Sequence, residues 1–408
     1  MFLFGPAVPS PTVPPLTDSA RIANAVNNNH PLLTPQQSQI LRTLRSEGPL
    51  SRWQLHQRTA LRPNTVGDQV GKLLRRGLVC ETAAQSRGPG RPRVPLTVDT
   101  NTLHVVGTAI RPGHVEACRL NLCGQPRGRL RTRPVGEPSE TIATVESLLR
   151  EIVNDQTFLV GLSTTGFVDA SQRRILLSSA LPRQHLASLD TLFDVACRQP
   201  LVVENDMHAL AARWLQEHHR HLDEDVLLVY LDDGELGAAL LVRGEPNWGC
   251  LVGGNELGHT RLPVKTAPCY CGHTGCMERI CSTEFLHRHG AASGTLLEQA
   301  AGFDGAQPAV VRMIELLATG LANSVNFIRP HRIVLVSPLT RHGRFMEALI
   351  LAVRSRIMTT LADRVAFHYW DQAATGAGEA AGWLALAAIY YPSWTKAIMQ
   401  GPGGERPE

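Results

Sequence analysis

Gly253-Gly-Asn-Glu256-Leu-Gly-His259 is followed by Cys269-Tyr-Cys271-Gly-His-Thr-Gly-Cys276-Met-Glu278, and these two blocks decide how the chain reads. Three thiolates and one imidazole, from Cys269, Cys271, Cys276 and His259, make a Cys3His set, the donor set of a tetrahedral zinc ion. The Cys-x-Cys spacing is tighter than the usual Cys-x2–4-Cys. Gly272 and Gly275 supply the backbone freedom that so close a loop needs. With all four positions filled no open coordination site remains, so a bound zinc is expected to be structural rather than catalytic. A reduced, metal-free loop is the alternative, and His273 and Cys281 stand nearby as spare donors. Nine cysteines occur in all; clustering in a long chain argues for metal over disulfides. The scattered remainder read as small buried hydrophobes.

Working outward, 408 residues with 43% apolar and 19% charged content suit two or three folded units rather than a disordered chain. No apolar run approaches the roughly 20 residues that cross a bilayer, and the opening residues lack the basic start of a signal peptide. A cytoplasmic protein without membrane insertion, nucleoid-associated when on DNA, is expected. The formal charge of +4 is uneven: residues 34–98 hold eleven Arg and Lys against three Asp and Glu, a local +8 over a body at −4. A basic head on a mildly acidic body points to a polyanion partner.

That head carries three helical patterns. Thr34-Pro35 with Gln37, and Ser51 with Gln54, are capping boxes. Ile40, Leu41 and Leu44 give the first helix an apolar face, and Trp53 and Leu55 the second. The third opens at Pro63, buries Val66, Val70, Leu73 and Leu74, and ends at Gly77. Strand-like Leu78 to Cys80 and Val94 to Val98 flank a Gly/Pro/Arg-rich tip. Three helices and a hairpin with a basic tip describe a winged helix-turn-helix on double-stranded DNA. Asn64, Thr65, Asp68, Gln69 and Lys72 then face the major groove, with Asn and Gln suited to adenine. Arg62, with Arg52, Arg58, Arg75 and Arg76, is placed for phosphates. Arg87, Arg91 and Arg93 form a wing for the backbone or a narrow minor groove. A helical protein-interaction module with a solvated basic face is the plainer alternative.

Residues 1–33 read as a disordered arm. From residue 99 strands and helices alternate, giving an α/β class. Strands are expected over 103–110, 115–122, 158–163, 201–203, 226–231, 237–242 and 333–336. Helices are expected over 142–153, 189–197, 207–218, 309–327, 344–359 and 378–388.

The signature blocks resemble the ROK family, whose name joins repressors, open reading frames and sugar kinases. Glu204-Asn205-Asp206 matches as well, and Ser163-Thr-Thr-Gly166-Phe-Val-Asp169 more weakly. With a basic head in front, the chain is similar to the sugar-responsive repressors of that family. The resemblance implies a two-lobed actin-like (ribonuclease-H-like) fold. Its lobes would span 99–203 and 204–377, with the zinc loop at 259–276 and the C-terminal segment 378–400 as a candidate addition to the first. It implies that Asn205, Asp206, Glu256, His259 and Glu278 hold sugar hydroxyls, and that Asp206 matches the general base of the family's kinases. Asp206 also reads as the cap of the helix that follows it.

The resemblance fails at the phosphate loops. Where the family has Asp-x-Gly-Gly-Thr, this chain reads Gly107-Thr-Ala-Ile-Arg-Pro-Gly-His114. Where it has Gly-Thr-Gly-x-Gly, the chain reads Asp232-Asp-Gly-Glu-Leu-Gly237, with three carboxylates. Phosphoryl transfer rests on positioning and neutralising phosphates, so no catalytic residue is assigned. The expectation is a repressor of sugar uptake or metabolism genes, controlled by a sugar, a sugar phosphate meeting Arg111, or a sugar-transport protein. The alternative is an active ATP-dependent sugar kinase with a regulatory head. A homodimer or higher homo-oligomer reading paired half-sites is expected.

Overall fold

Thr34 and Ser51 both cap helices with side chains that accept a backbone N–H three residues on, while Gln37 and Gln54 reach back. In a computed structural model these helices are α1 (Pro35–Glu47) and α2 (Arg52–Thr59), followed by α3 (Pro63–Arg75) and the antiparallel hairpin β1 (Val79–Glu81) and β2 (Leu96–Val98). The structure describes residues 33–83, 94–169, 174–179, 181, 187–189, 191–192, 199–247, 255–291, 293–370 and 376–394. Of the arm expected over 1–33, residues 1–32 lie outside them, as do residues 84–93 of the expected wing tip; Leu33 is described and, against the expectation of disorder, is buried in the head's core at 2% exposure. Ile40, Leu44, Leu55, Val66, Val70 and Leu73 close the head's core. Trp53, assigned to the apolar face of α2, is instead 54% exposed.

The next sheet is built from β3 (His104–Arg111), β4 (His114–Asn121), β5 (Arg131–Pro134), β6 (Thr157–Thr164) and, after the small sheet β7 (Phe167–Asp169), β8 (Arg174–Leu177) and β9 (Ala187–Ser188), from β10 (Leu201–Asn205). Its order is β10-β6-β3-β4-β5, with β3 antiparallel to β4 and parallel to β6. Helix α4 (Thr141–Ile152) covers one face, and α5 (Asp206–Glu217) leaves from the end of β10. β3 and β6 are buried along almost their whole length, as strands covered on both faces are.

A second sheet repeats the pattern. β11 (Val226–Asp232), β12 (Glu235–Val242), β13 (Glu245–Pro246), β14 (Arg332–Val336) and β15 (Ala366–Trp370) are ordered β13-β12-β11-β14-β15, again with an antiparallel pair followed by parallel neighbours. Between them come the short α6 (Met277–Ile280), α7 (Thr283–Arg288) and α8 (Leu296–Ala301), then the long α9 (Pro308–Ile328) and α10 (Gly343–Arg354). The helix expected over 344–359 stops at Arg354. The chain turns back on the Val353 carbonyl to bury Ile357, and a separate α11 (Thr359–Ala362) follows. Of the helix expected over 189–197, all but residues 189, 191 and 192 lie outside the described residues. Strands β5 and β15 escaped the reading because they are edge strands whose exposed, polar or unalternating residues give no period of two. No helix among the described residues is long and apolar enough to cross a membrane.

Helix α12 (Ala377–Tyr390) lies on β3, β4 and β6 and against α5. Every residue from Ala380 to Tyr390 is buried. One apolar cluster runs from Ile40, Leu44 and Leu73 of the head through Val105 and Leu159 of the first sheet to Leu384 and Ile389 of α12. The close approach needs Gly107: a Cβ there would stand 2.1 Å from the Gly378 carbonyl and 2.2 Å from the Gly382 nitrogen. Gly107→Ala is expected to destabilise the chain by about 3 kcal/mol, since backbone on both sides must move. Gly71→Ala in α3, where a Cβ meets only the tip of Arg75 at 3.6 Å, is expected to be neutral or stabilising by up to about 1 kcal/mol. Thermal or denaturant unfolding of the two variants checks the contrast.

Candidate functional site

His259 ends a 3-10 turn at Leu257–His259, and the loop after it folds back on itself: Leu262 N donates to the Gly275 carbonyl and Met277 N to that of Thr260. Gly275 sits at φ +83°, and a Cβ on it would meet the Leu262 carbonyl at 2.6 Å, so the turn depends on glycine there. This fold brings His259, Cys269, Cys271 and Cys276 together with all their donor atoms within 4.8 Å of one another. Cys271 and Cys276 Sγ are 3.6 Å apart, and His259 Nδ1 is 3.5 Å from Cys269 Sγ. Ligands on a tetrahedral zinc with bonds of about 2.3 Å stand about 3.8 Å apart, so the cluster has the dimensions to hold a metal ion. His259 Nε2 faces the Tyr270 hydroxyl at 3.0 Å, the kind of outer contact that orients a metal-binding imidazole.

Next to this cluster a cavity of about 340 Å³ is lined by Asn205, Asp206, Glu256 and Glu278, four of the five residues expected to hold sugar. The fifth, His259, is not among the lining residues; Tyr270, hydrogen-bonded to it, takes that wall. Asn205 is the N-cap of α5: its Oδ1 accepts from Met207 N at 2.8 Å and its Nδ2 donates to the Gly166 carbonyl at 2.8 Å. The sequence reading gave that cap to Asp206. Asp206 is instead the first helical residue, which leaves its carboxylate to line the cavity.

Arg111, the last residue of β3, crosses to both loops. Its Nη1 donates to Asp206 Oδ2 at 3.1 Å and its Nη2 to Glu235 Oε2 at 2.7 Å. Burial works against the Arg111 charge, but Glu235 and Asp206 outweigh it and hold the guanidinium more firmly protonated than usual. Burial lifts the Asp206 carboxyl up to about 6 against the pull of Arg111, with Glu235 adding to the rise. Burial, then Glu278 and Glu256, push the Tyr270 phenol up. The other carboxylates of the 232–237 turn are also satisfied: Tyr230 donates to Asp232 at 3.1 Å, and the Thr283 backbone N–H to Asp233 at 2.7 Å. The stretch Gly107–His114 is the end of β3, a turn at Pro112-Gly113 and the start of β4.

On the head, Arg62, Asn64, Asp68 and Lys72 are exposed along α3, while Thr65 and Gln69 are half-buried. Asp68 pairs with Lys72 at 3.2 Å and accepts from Gln69 at 3.1 Å. Arg52 and Arg58 pair with Glu81 and Glu47, and Arg76 lies over the Phe158 ring of β6, 5.4 Å from its centroid, so it faces the body. Arg87, Arg91 and Arg93 lie outside the described residues.

Two contacts escaped the sequence reading. One is the pairing of Arg111 with Asp206 and Glu235, residues 95 and 124 positions away. The other is Arg45 of α1, hydrogen-bonded to Gln216 near the end of α5, its guanidinium 4.9 Å from the centroids of both Trp383 and Tyr390. Neither leaves a local signal; only the fold makes the partners neighbours.

Comparison with known proteins agrees with this architecture. The xylose repressor of Caldicellulosiruptor bescii is 22% identical over 362 residues, covering 80% of this chain and 90% of the repressor. An N-acetyl-D-glucosamine kinase of Yersinia pseudotuberculosis is 26% identical over 250 residues, covering 54% of this chain and 80% of the kinase. A solved ROK family transcriptional regulator, a homologue of the Escherichia coli Mlc protein, matches the fold with a TM-score of 0.72 at 19% identity, over 87% of this chain and 96% of its own. The ROK family model itself matches residues 111–390, which run from the end of β3 through the second sheet and the Cys/His loop to α12, and the chain belongs to the ROK family.

Proposed function

We propose that the chain is a DNA-binding transcriptional repressor of sugar uptake or metabolism genes, with a winged helix-turn-helix head and a ROK body that senses a sugar and transfers no phosphate. The observation that carries this reading is Arg111. A kinase of this architecture needs Asp206 free to take a hydroxyl proton and a neutral, donor-rich loop for the phosphates. Here Asp206 is ion-paired to Arg111, and the same guanidinium is bonded to Glu235 of the second loop. What remains is a cavity of acceptors suited to hydroxyls, attached to a basic head.

In the proposed head, α3 enters the major groove with Asn64, Thr65, Asp68, Gln69 and Lys72 towards base edges, and Arg62 on a phosphate. Arg87, Arg91 and Arg93 belong to the wing, and a twofold dimer sets two heads on paired half-sites. His259, Cys269, Cys271 and Cys276 hold zinc, which supplies rigidity to the wall that Tyr270, Glu256 and Glu278 present. The units then divide as 34–98, 99–203 with α12, and 204–377.

Cavity and head are joined through α5. Its first turn carries Asp206, and its last turn carries Gln216, which holds Arg45 of the head. A sugar that shifts the start of α5 shifts that joint, which supports hinge coupling between sites.

Three outcomes test these assignments. Fluorescence anisotropy on a duplex from the chain's own promoter should show affinity falling steeply with salt, and Arg62→Ala should lower the slope of log K against log salt by about 1; a flat salt response contradicts the DNA reading. Metal analysis of chain isolated under reducing conditions should find about one zinc per chain, with Cys276→Ser losing it and melting several degrees lower. Gln216→Ala should keep DNA affinity within about twofold yet cut the sugar-induced change in that affinity about fivefold, roughly 1 kcal/mol of coupling; an unaltered response refutes the α5 route.

A further inference from the structure

The cavity's charge says which sugars it takes. Among the described residues, five carboxylates line it, those of Asp206, Asp233, Glu235, Glu256 and Glu278. Two guanidiniums accompany them, Arg279 on the wall and Arg111 behind Asp206 and Glu235. Both already have carboxylate partners. Arg111 is bonded through both terminal nitrogens, to Asp206 at 3.1 Å and Glu235 at 2.7 Å, and Arg279 is paired with Glu284 at 2.8 Å. The start of α5, whose N–H groups would otherwise attract an anion, is capped by Asn205 and carries the Asp206 carboxylate. Five negative charges against two positive ones repel a phosphate dianion, while the same carboxylates accept readily from hydroxyls.

We infer that the cavity takes an uncharged pyranose and rejects its phosphorylated form, with Arg111 the residue that sets this choice by being committed to Asp206 and Glu235. The inference rests on the proposal that this cavity is the sugar site. It narrows the effector class: the signal is the free sugar, before a kinase or phosphotransfer step has acted on it. Glu235 is the lever. Replacing it with glutamine removes one negative charge and turns a charge-assisted bond to Arg111 into a weaker neutral one, so a phosphate competes better for that guanidinium and loses a repulsion.

The test is calorimetry or thermal-shift titration of the full zinc-containing chain at pH 7.5 and fixed ionic strength. The ligands are glucose, mannose and N-acetylglucosamine and the 6-phosphate of each. At least one free sugar should bind, tenfold or more tighter than its 6-phosphate, and Glu235→Gln should narrow that ratio at least threefold. A 6-phosphate that binds tighter than its parent overturns the inference and leaves the sugar site standing. A selective chain whose ratio Glu235→Gln does not move overturns the role of Arg111. If none of the six ligands binds, the sugar site falls and the inference with it.

Discussion

The seating of α12 on the first sheet is the contact on which the rest of the structure depends. A helix buried from Ala380 to Tyr390 has no solvent face, so it joins whatever packs around it. On one side it meets β3, β4 and β6, at a distance that glycine at 107 of β3 and at 161 of β6 permits: a Cβ on either would stand 2.1 Å from a carbonyl oxygen of α12. On another it meets α5. Trp383 at its middle and Tyr390 at its end cage Arg45, and the Ile389 carbonyl accepts from Ser38 Oγ at 2.7 Å, both Arg45 and Ser38 coming from α1 of the head. The head is therefore anchored to the C-terminal helix as well as to the strand that follows it. Close-packed cores transmit small displacements instead of absorbing them, and this packing is what the proposed coupling of α5 and α12 to α1 rests on.

At the other end of α5 the governing interaction is electrostatic. A partly buried guanidinium with two carboxylates is costly to desolvate and holds only while its hydrogen bonds are complete. Arg111 meets that condition by pairing with Asp206 and Glu235, which belong to different elements: one begins α5 and the other opens β12. The triad thus fastens the first sheet to the second across the cavity. In a phosphoryl-transfer enzyme that region must admit phosphates and metal; in this chain the Arg111 guanidinium stands there, bonded to Asp206 and Glu235, and the proposed role of the cavity, recognition of hydroxyls, rests on that pairing. The neighbouring Cys3His loop borders the opposite wall at Tyr270, which meets His259 Nε2 at 3.0 Å, and at Glu278, whose Oε1 lies 3.0 Å from Cys269 Sγ.

Local chemistry made much of this legible in the sequence. The capping boxes at Thr34 and Ser51, the grouping of His259 with Cys269, Cys271 and Cys276, and the strands expected over 103–110 and 226–231 all announce themselves by spacing or period; the structure has both boxes, gathers the donor atoms of the four side chains within 4.8 Å of one another and forms the strands at His104–Arg111 and Val226–Asp232. Asn205, Asp206, Glu256 and Glu278 were legible through resemblance, and they share one cavity. What stayed hidden depends on distance along the chain. Nothing near Arg111 announces Asp206 or Glu235, and nothing near Arg45 announces Trp383. His259 was given two duties, but its ring is occupied by Cys269 and Tyr270, so the tyrosine between the two cysteines lines the cavity instead. Trp53 shows the opposite failure: an aromatic in an amphipathic pattern, placed on the wrong side of a helix too short to constrain it.

The most direct test of the link between cavity and head is hydrogen–deuterium exchange on the full chain, with and without a saturating free sugar. Slowed or accelerated exchange at 205–217 should be accompanied by a change in α12 and in α1, because the three helices share Arg45, Gln216 and the aromatic cage. A change confined to the cavity walls, with 35–47 and 377–390 unaltered, would contradict the account.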